Sequence, residues 1–229
     1  MKQIIMCKNQ KYIIHENEYA YVSPYSKFLI KYFPLISFRE KSICDFGAGT
    51  GILGIVSSSY FPMKITFIEN NFYALRLLEK NCQSNSLPQN IEISLIDNSN
   101  NCKEYFDIII CNPASLPSIA NVNSFCDGGD LGIDMICNVL EFSRNHLSES
   151  GKLYMIITSI LPQNMIIDKF RQYNLAYKII AKQKLPFRPH YHGIKEWVDQ
   201  NKEQYGTMEY YEVNNILYEE IRLFEIWSE

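Results

Sequence analysis

Residues 43–51 read Ile-Cys-Asp-Phe-Gly-Ala-Gly-Thr-Gly, and this stretch determines how the rest of the chain is interpreted. It begins as a short apolar strand, contains Asp45, and ends in three glycines at alternate positions, Gly47, Gly49 and Gly51. Because glycine lacks a Cβ, the chain can turn sharply here and approach a ligand closely. An apolar helical pattern follows over residues 52–60, and the unpaired N–H groups at a helix start favour a polar ligand. The stretch therefore predicts a strand, a glycine loop and a helix that bind a nucleotide-type cofactor.

Three more apolar, β-branched runs follow at residues 65–68, 91–96 and 106–111. The polar residues that end them are Glu69, Asp97 and Asn112. Glu69 comes roughly 20 residues after the glycines, where a doubly wound fold places a carboxylate on the ribose hydroxyls of a cofactor. The carboxyl ends of parallel strands meet at one edge of a sheet. We therefore expect these strand ends to form one site.

The motif series resembles that of the class I S-adenosylmethionine-dependent methyltransferases. It consists of the glycine stretch, Glu69, Asp97 and the sequence Asn-Pro-Ala-Ser at residues 112–115. The Asn-Pro element is similar to that of the small-domain amino-methyltransferases, which include the release-factor glutamine and N6-adenine methyltransferases. Residues 127–134 (Asp-Gly-Gly-Asp-Leu-Gly-Ile-Asp) also resemble a segment of the glutamine enzymes. The resemblance covers about residues 20–183.

The resemblance implies an α/β fold with a Rossmann-like, doubly wound sheet of seven strands. Most strands are expected to be parallel, with an antiparallel last strand inserted between the fifth and the sixth. Residues 1–41 are predicted to form a hairpin and a helix that cover the site, the helix starting at Ser23-Pro24 because serine is a good cap and proline fits the first turn. Residues 42–229 are then the methyltransferase domain, with a substrate-side insertion at about 184–214.

The cofactor implied by the resemblance is S-adenosyl-L-methionine. The residues predicted to bind it are Asp45, Gly47, Gly49, Gly51, Glu69, Asn70, Asp97, Asn98 and Asn112. Asp45 would face the ammonium group, and Glu69 would accept both ribose hydroxyls because a carboxylate accepts several hydrogen bonds. Asp97 would accept from the adenine amino group. The plainer alternatives are a tight turn at the glycines, a helix cap at Glu69 and a turn at Asp97.

Asn112 and Pro113 are the predicted catalytic residues. In the resembled families, the asparagine side-chain oxygen and the proline carbonyl accept the two hydrogens of a planar NH₂ group, which directs its lone pair at the methyl group. The alternative is an ordinary Asn-Pro turn at a strand end. The chain departs from the family pattern at Ala114 and Ser115, where a second proline and an aromatic residue are usual. This departure weakens the prediction of a nucleic-acid base as acceptor, because base stacking on a ring is worth about 1–3 kcal/mol.

Several other side chains are candidates for contact with the acceptor, since they are aromatic, polar or basic and lie near the predicted site. They are Tyr25, Ser115, Phe125, Phe187, His190 and Tyr191. Core packing explains Tyr25 equally well, and a position on an exposed loop is the plainer explanation of His190.

Composition limits the classes of protein that remain. The net charge is −3, from 22 basic and 25 acidic side chains, which gives no strong nucleic-acid signature. The seven cysteines show no Cys-x-x-Cys spacing, so we predict a reduced protein with no metal site and no disulfides. The N-terminus does not resemble a signal peptide and no apolar run is long enough for a membrane span, so a cytoplasmic location is expected.

We therefore predict an S-adenosylmethionine-dependent methyltransferase that modifies a nitrogen, in an amide or exocyclic amine, of a protein or RNA acceptor. Two alternatives remain open. The first is a small-molecule methyltransferase of a biosynthetic pathway, and the second is a non-catalytic cofactor-binding protein.

Overall fold

The computed structural model describes residues 1–120, 126–188, 191 and 193–229. Its strands are β1 (Lys2–Cys7), β2 (Gln10–His15), β3 (Ser42–Phe46), β4 (Lys64–Ile68), β5 (Glu92–Ile96), β6 (Phe106–Cys111), β7 (Leu147–Thr158), β8 (Leu175–Pro186), β9 (Tyr211–Val213) and β10 (Ile216–Ser228). Its helices are α1 (Pro24–Lys31), α2 (Ile52–Ser57), α3 (Phe72–Ser84), α4 (Asp134–His146), α5 (Gln163–Gln172) and α6 (Ile194–Tyr205). None of these helices is both long and apolar enough to cross a membrane.

The chain folds into two compact units. The first comprises residues 1–112 and 146–153, and the second comprises residues 113–145 and 154–229. The main sheet has the strand order β5-β4-β3-β6-β7-β10-β8, and β9 pairs with β10. The sequence predicts a boundary after residue 41, between the N-terminal hairpin and helix and the main domain. The two compact units do not follow this boundary, and it stays a prediction.

In the first unit, the strands β5, β4, β3 and β6 are parallel neighbours. Their side chains are mainly isoleucine and phenylalanine, and the middle strands are almost completely buried. This continuous apolar character is typical of parallel strands that are covered on both faces. Helix α2 packs against β3 and β4, and so places the glycine loop directly beyond the end of β3.

The hairpin predicted within residues 1–41 is present, formed by β1 and β2. Lys8 and Asn9 make its two-residue turn with φ values of 47° and 62°, the left-handed conformation that a tight hairpin turn requires. Tyr12 and Ile14 alternate with more accessible residues of β2 and are completely buried. Strand β2 contacts α3.

Helix α1 begins as the sequence predicts. Ser23 is its N-cap, with the side-chain oxygen 3.1 Å from the backbone nitrogen of Ser26, and Pro24 occupies the first helical position. The helix buries Phe28 and Leu29 and ends at Lys31, before Pro34.

In the second unit, β10 pairs antiparallel with β8 along almost its whole length. Residues 184–214, predicted to be an insertion, contain α6 and β9. Ser159 holds this segment in place, because its hydroxyl donates to the carbonyl of Glu209 (2.7 Å) and accepts from the N–H of Glu220 (3.0 Å).

The mostly parallel α/β sheet with an inserted antiparallel strand is confirmed, but the sheet has eight strands instead of seven. The additional strand is β9, which turns back onto β10 through Asn214 and Asn215, both with positive φ. Strand β7 includes residues 148–151, although the composition of this segment is typical of a turn.

Asn81 connects three elements of the first unit and is completely buried. Its Nδ2 donates to the carbonyls of His15 (3.1 Å) and Thr50 (2.9 Å), and its Oδ1 accepts from the N–H of His15 (2.8 Å). Helix α3 is therefore hydrogen-bonded both to the hairpin and to the glycine loop itself.

We expect Asn81→Ala to lower the free energy of unfolding by about 2–4 kcal/mol, since each buried polar group left unpaired costs about 1–3 kcal/mol. Urea unfolding followed by circular dichroism measures the change. Asn145→Ala is the matched control, because Asn145 is also helical but exposed. Equal stability of the two variants would contradict a connecting role for Asn81.

Candidate functional site

The four parallel strands of the first unit end on one row of paired residues. Phe46 lies opposite Ile68 on one side and Cys111 on the other, and Ile68 lies opposite Ile96. The next residues along the chain are Gly47, Glu69, Asn112 and Asp97, all of them predicted site residues. The structure therefore brings the ends of these strands to one edge of the sheet, as expected for a cofactor site in this class of fold.

The glycine loop adopts a conformation that side-chain-bearing residues rarely adopt. Gly47, Gly49 and Gly51 have φ values of 67°, 54° and 76°. A Cβ on Gly51 would lie 2.1 Å from the Cδ1 atom of Leu78, so this glycine is also required for packing against α3. Among the described residues, a Cβ on Gly49 would meet only Ala20, at 3.8 Å, which leaves room for a ligand beside the loop.

Glu69 fixes the glycine loop relative to the end of β4. Its Oε2 accepts from the N–H of Gly49 (2.7 Å) and its Oε1 accepts from the N–H of Asn71 (2.8 Å). The side chain is buried, with 8% of the residue exposed. Each carboxylate oxygen has two lone pairs, so both oxygens keep one lone pair for a further donor. This arrangement fits the vicinal diol of a ribose, the role predicted for Glu69.

Asp45 lies one residue before the end of β3 and is 1% exposed. Its Oδ2 accepts from the N–H of Gly54 in α2 (2.8 Å). Burial, together with the nearby charge of Glu69, raises the pKa of Asp45 to about 8, although the Gly54 hydrogen bond acts in the opposite direction. The predicted contact with an ammonium group stays a prediction, and such a cation would favour the charged form of Asp45.

The remaining polar candidates at this edge are exposed. Asp97 accepts a long hydrogen bond from Asn101 (3.3 Å), and Asn98 caps the short helical turn that follows. Asn70 is also exposed, and its neighbour Asn71 is the N-cap of α3. Asp97, Asn98 and Asn70 thus have accessible side chains, as cofactor contacts require, and their roles stay predictions.

The side-chain amide of Asn112 has hydrogen-bond partners for its nitrogen but not, among the described residues, for its oxygen. Its Nδ2 lies 2.9 Å from the Oγ of Ser23 and 3.0 Å from the Oγ of Ser26. Its Oδ1 is buried and has no partner among the described residues. An unpaired buried acceptor costs about 1–3 kcal/mol, so the oxygen is set up to receive a donor from a bound molecule.

In the second unit, the loop that starts at Pro113 is held by the segment after residue 125. Leu116 donates to the carbonyl of Cys126 (2.9 Å) and accepts from the N–H of Gly128 (2.8 Å). Ser118 donates to the carbonyl of Gly129 (3.0 Å). The glycine-rich motif at residues 127–134 therefore supports the loop of Pro113 and Ser115 through backbone hydrogen bonds.

The acceptor-contact candidates have different surroundings. Tyr25, in the first unit, is only 4% exposed, and Ser115, in the second, is 8% exposed. Also in the second unit, Phe187 contacts Tyr191 edge to face at 5.4 Å, and the Tyr191 hydroxyl donates to the buried carboxylate of Glu219 (3.1 Å). The other two candidates, Phe125 and His190, lie outside the described residues.

Two residues that bear on the site are not predicted as site residues. The sequence predicts Ser23 only as a helix cap and assigns no role to Ser26, yet both hydroxyls bind the amide of Asn112. Two serines three residues apart at a helix start are the available signal, but their partner Asn112 lies 89 and 86 residues away in the sequence.

The site features fit S-adenosylmethionine. Glu69 has free lone pairs for the ribose, Gly49 leaves space, and Asn112 presents an unpaired oxygen. Within the described part of the chain, no group of His, Cys, Asp or Glu residues is arranged to hold a metal ion.

Comparison with known proteins identifies relatives of this chain. The sequence model of a family described as methyltransferase small domain matches residues 19–183. A putative protein N5-glutamine methyltransferase of Methanocaldococcus jannaschii is 26% identical over 159 residues, which are 67% of this chain and 80% of that protein. The ribosomal RNA small subunit methyltransferase C of Buchnera aphidicola subsp. Baizongia pistaciae is 30% identical over 125 residues. That alignment covers 54% of this chain but only 35% of the relative.

Solved structures show the same fold at low sequence identity. A ribosomal protein L11 methylase from Lactobacillus delbrueckii subsp. bulgaricus has a TM-score of 0.53 and 13% identity, covering 86% of this chain and 77% of that chain. A putative RNA methyltransferase from Pyrococcus horikoshii has a TM-score of 0.57 and 14% identity, covering 93% and 90%.

We expect Glu69→Gln to weaken S-adenosylmethionine binding by about 10- to 100-fold. The amide has one oxygen instead of two, so the N–H of Gly49 or Asn71 loses its acceptor, and hydrogen bonds to a charged group are worth about 1.5–3 kcal/mol. Isothermal titration calorimetry measures the affinity. Glu79→Gln, on the surface of α3, is the control, and an unchanged affinity of the Glu69 variant would exclude Glu69 from the cofactor site.

The pKa of Asp45 predicts how stability depends on pH. Between the ordinary aspartate pKa of 3.8 and about 8, the folded state binds a proton that the unfolded state has lost. The contribution of Asp45 to stability is therefore fully present below pH 3.8 and is lost as the pH rises through about 8.

Urea unfolding of the wild type and of Asp45→Asn at pH 5 and pH 8 tests this expectation. The variant carries no charge and keeps an oxygen for the Gly54 N–H, so its stability should decrease less over this range. The Asp45 contribution to the slope is at most about 1.4 kcal/mol per pH unit. Parallel pH profiles would mean that Asp45 titrates normally in the folded protein.

Proposed function

Because the chain belongs to the methyltransferase small domain family and is an S-adenosylmethionine-dependent methyltransferase, we propose that its acceptor is the nitrogen of a planar NH₂ group in a protein. A side-chain amide, such as that of glutamine, has the required chemistry. Since the chain is an enzyme, the alternative of a non-catalytic cofactor-binding protein no longer applies.

The observation that carries this proposal is the orientation of Asn112. Its Nδ2 is occupied by Ser23 and Ser26, and its buried Oδ1 has no partner among the described residues. A side chain that presents an acceptor selects a donor, and an NH₂ group supplies one. A carboxylate or a deprotonated oxygen would leave the Asn112 oxygen facing another acceptor, which is unfavourable.

The mechanism follows from these roles. When bound, S-adenosylmethionine supplies an electrophilic methyl group, whose carbon–sulfur bond breaks as the acceptor nitrogen forms its new bond to carbon. Asn112 Oδ1 would accept one N–H of the acceptor and the carbonyl of Pro113 the other, which directs the nitrogen lone pair out of the NH₂ plane. Pro113 has no N–H of its own to compete there. Such positioning lowers the barrier without a strong base, since the proton leaves the nitrogen after transfer.

Three observations support a protein amide as the acceptor. The glutamine methyltransferase relative is matched over 80% of its length, whereas the ribosomal RNA methyltransferase C relative is matched over 35%. The net charge of −3 does not favour a polyanion. Ser115 also replaces the aromatic ring on which a base would stack.

Transfer of labelled methyl groups tests the acceptor class. The protein is incubated with methyl-tritiated S-adenosylmethionine and the fractionated proteins, RNA and small molecules of its source cells. We expect label in protein, and acid hydrolysis should release it as methylamine, because a methylated amide hydrolyses to that product. Label in RNA would support an exocyclic amine instead, and label in the small-molecule fraction would support a metabolite; either result overturns the protein proposal.

Asn112→Ala should reduce turnover by about 100-fold, the scale of losing one positioning contact. S-adenosylmethionine affinity should stay within about twofold, because the Asn112 oxygen is assigned to an N–H of the acceptor and the transferred methyl group has none. Single-turnover assays and calorimetry measure the two quantities, with Asn145→Ala as the exposed control. Full turnover in the Asn112 variant would exclude this mechanism.

A further inference from the structure

Two serines at the start of α1 bind the amide of Asn112 from one side. We propose that Ser23 and Ser26 are positioning residues that hold the Asn112 oxygen toward the acceptor, and so restrict the enzyme to acceptors that bear N–H groups. This inference rests on the proposed function, because it assigns to Asn112 the role described there.

The distances define the network. Nδ2 of Asn112 lies 2.9 Å from the Oγ of Ser23 and 3.0 Å from the Oγ of Ser26. The two hydroxyl oxygens are 3.3 Å apart, and the Oγ of Ser23 also accepts from the N–H of Ser26 at 3.1 Å. Ser23 is 7% exposed and Ser26 is 5% exposed, so water competes little for these groups.

Counting lone pairs determines the direction of each hydrogen bond. A hydroxyl oxygen accepts at most two hydrogen bonds. The Oγ of Ser23 accepts from the Ser26 N–H and from Asn112, so it has no capacity left and must donate its own hydrogen to Ser26. The Oγ of Ser26 then accepts from Ser23 and Asn112. Both amide hydrogens of Asn112 are bound, and all four serine lone pairs are used.

Rotation of the Asn112 amide by 180° would break this balance. Its oxygen would then accept from the Ser26 hydroxyl, and from the Ser23 hydroxyl only if the bond between the two serines broke, so the network would have two hydrogen bonds instead of three. Its two N–H groups would lie where the unpaired oxygen now is and would favour a carboxylate or an alkoxide as partner. The serine pair therefore decides between an amide and its isosteric carboxylate, for example between glutamine and glutamate.

The position of the serines in α1 makes the arrangement rigid. Ser23 is the N-cap and Ser26 the donor of the capping hydrogen bond, so the bonds that start the helix also bind Asn112. Ser26→Ala is the informative variant, because it removes one partner of Asn112 and leaves the Ser23 cap intact. Ser26→Thr keeps the hydroxyl and should restore its effect.

The test needs no acceptor substrate. Sinefungin, a cofactor analogue, carries an amine where S-adenosylmethionine carries its methyl group, and S-adenosylhomocysteine carries neither. Calorimetry on the full chain gives the ratio of the two affinities, which reports how well the Asn112 oxygen receives an N–H donor. We expect the wild type to prefer sinefungin by at least about tenfold, the scale of one charge-assisted hydrogen bond.

Ser26→Ala should reduce this preference to less than about threefold, with S-adenosylhomocysteine affinity within about twofold of wild type. Ser26→Thr should restore the preference, and Ser84→Ala, whose hydroxyl binds a backbone carbonyl at the end of α3, should not change it. A structural role alone would change the unfolding midpoint without changing the ratio.

The outcomes separate the two proposals. If Asn112→Ala loses the preference and Ser26→Ala keeps it, the serine inference is wrong and the role of Asn112 stands. If Asn112→Ala also keeps it, or the wild type shows no preference, the acceptor-binding role of Asn112 in the proposed function is wrong as well.

Discussion

The hydrogen bonds between β3, β4, β5 and β6 are in register, so these strands end on a single row. Parallel pairing fixes this geometry, because it points every carboxyl end in the same direction. The residue that follows each strand therefore lies at the same edge of the sheet, whichever amino acid it is. Glycine, glutamate, aspartate and asparagine occupy these positions here, and the site is built from them. The sheet thus acts as the frame, and short polar segments supply the function.

Buried polar groups hold the site together. Glu69 pairs with two backbone N–H groups, and Asn112 pairs with two hydroxyls. Both keep unused acceptor capacity on oxygen, at Asn112 on an atom that is buried. An unpaired buried acceptor raises the free energy of the folded protein, and a ligand with complementary donors removes this penalty when it binds. The same groups therefore fix the loops and define what those loops bind.

Much of the fold could be predicted because local signals agreed with the tertiary structure. The cap of α1 at Ser23, the cap of α3 at Asn71 and the polar ends of the parallel strands all follow from residue type and position. The eighth strand could not be predicted, because β9 has three residues and exists only through pairing with β10. The contact of Ser23 with Asn112 spans 89 residues of sequence, and nothing local encodes it.

The place of β10 in the sheet has a consequence for synthesis of the protein. It lies between β7 and β8 but follows both along the chain. A ribosome therefore releases β7 and β8 before their shared partner exists, and each then exposes an open strand edge. Open edges invite wrong pairing and aggregation. The sheet is completed on this side only when residues 216–228 emerge, so a nascent chain is vulnerable to wrong pairing up to that point.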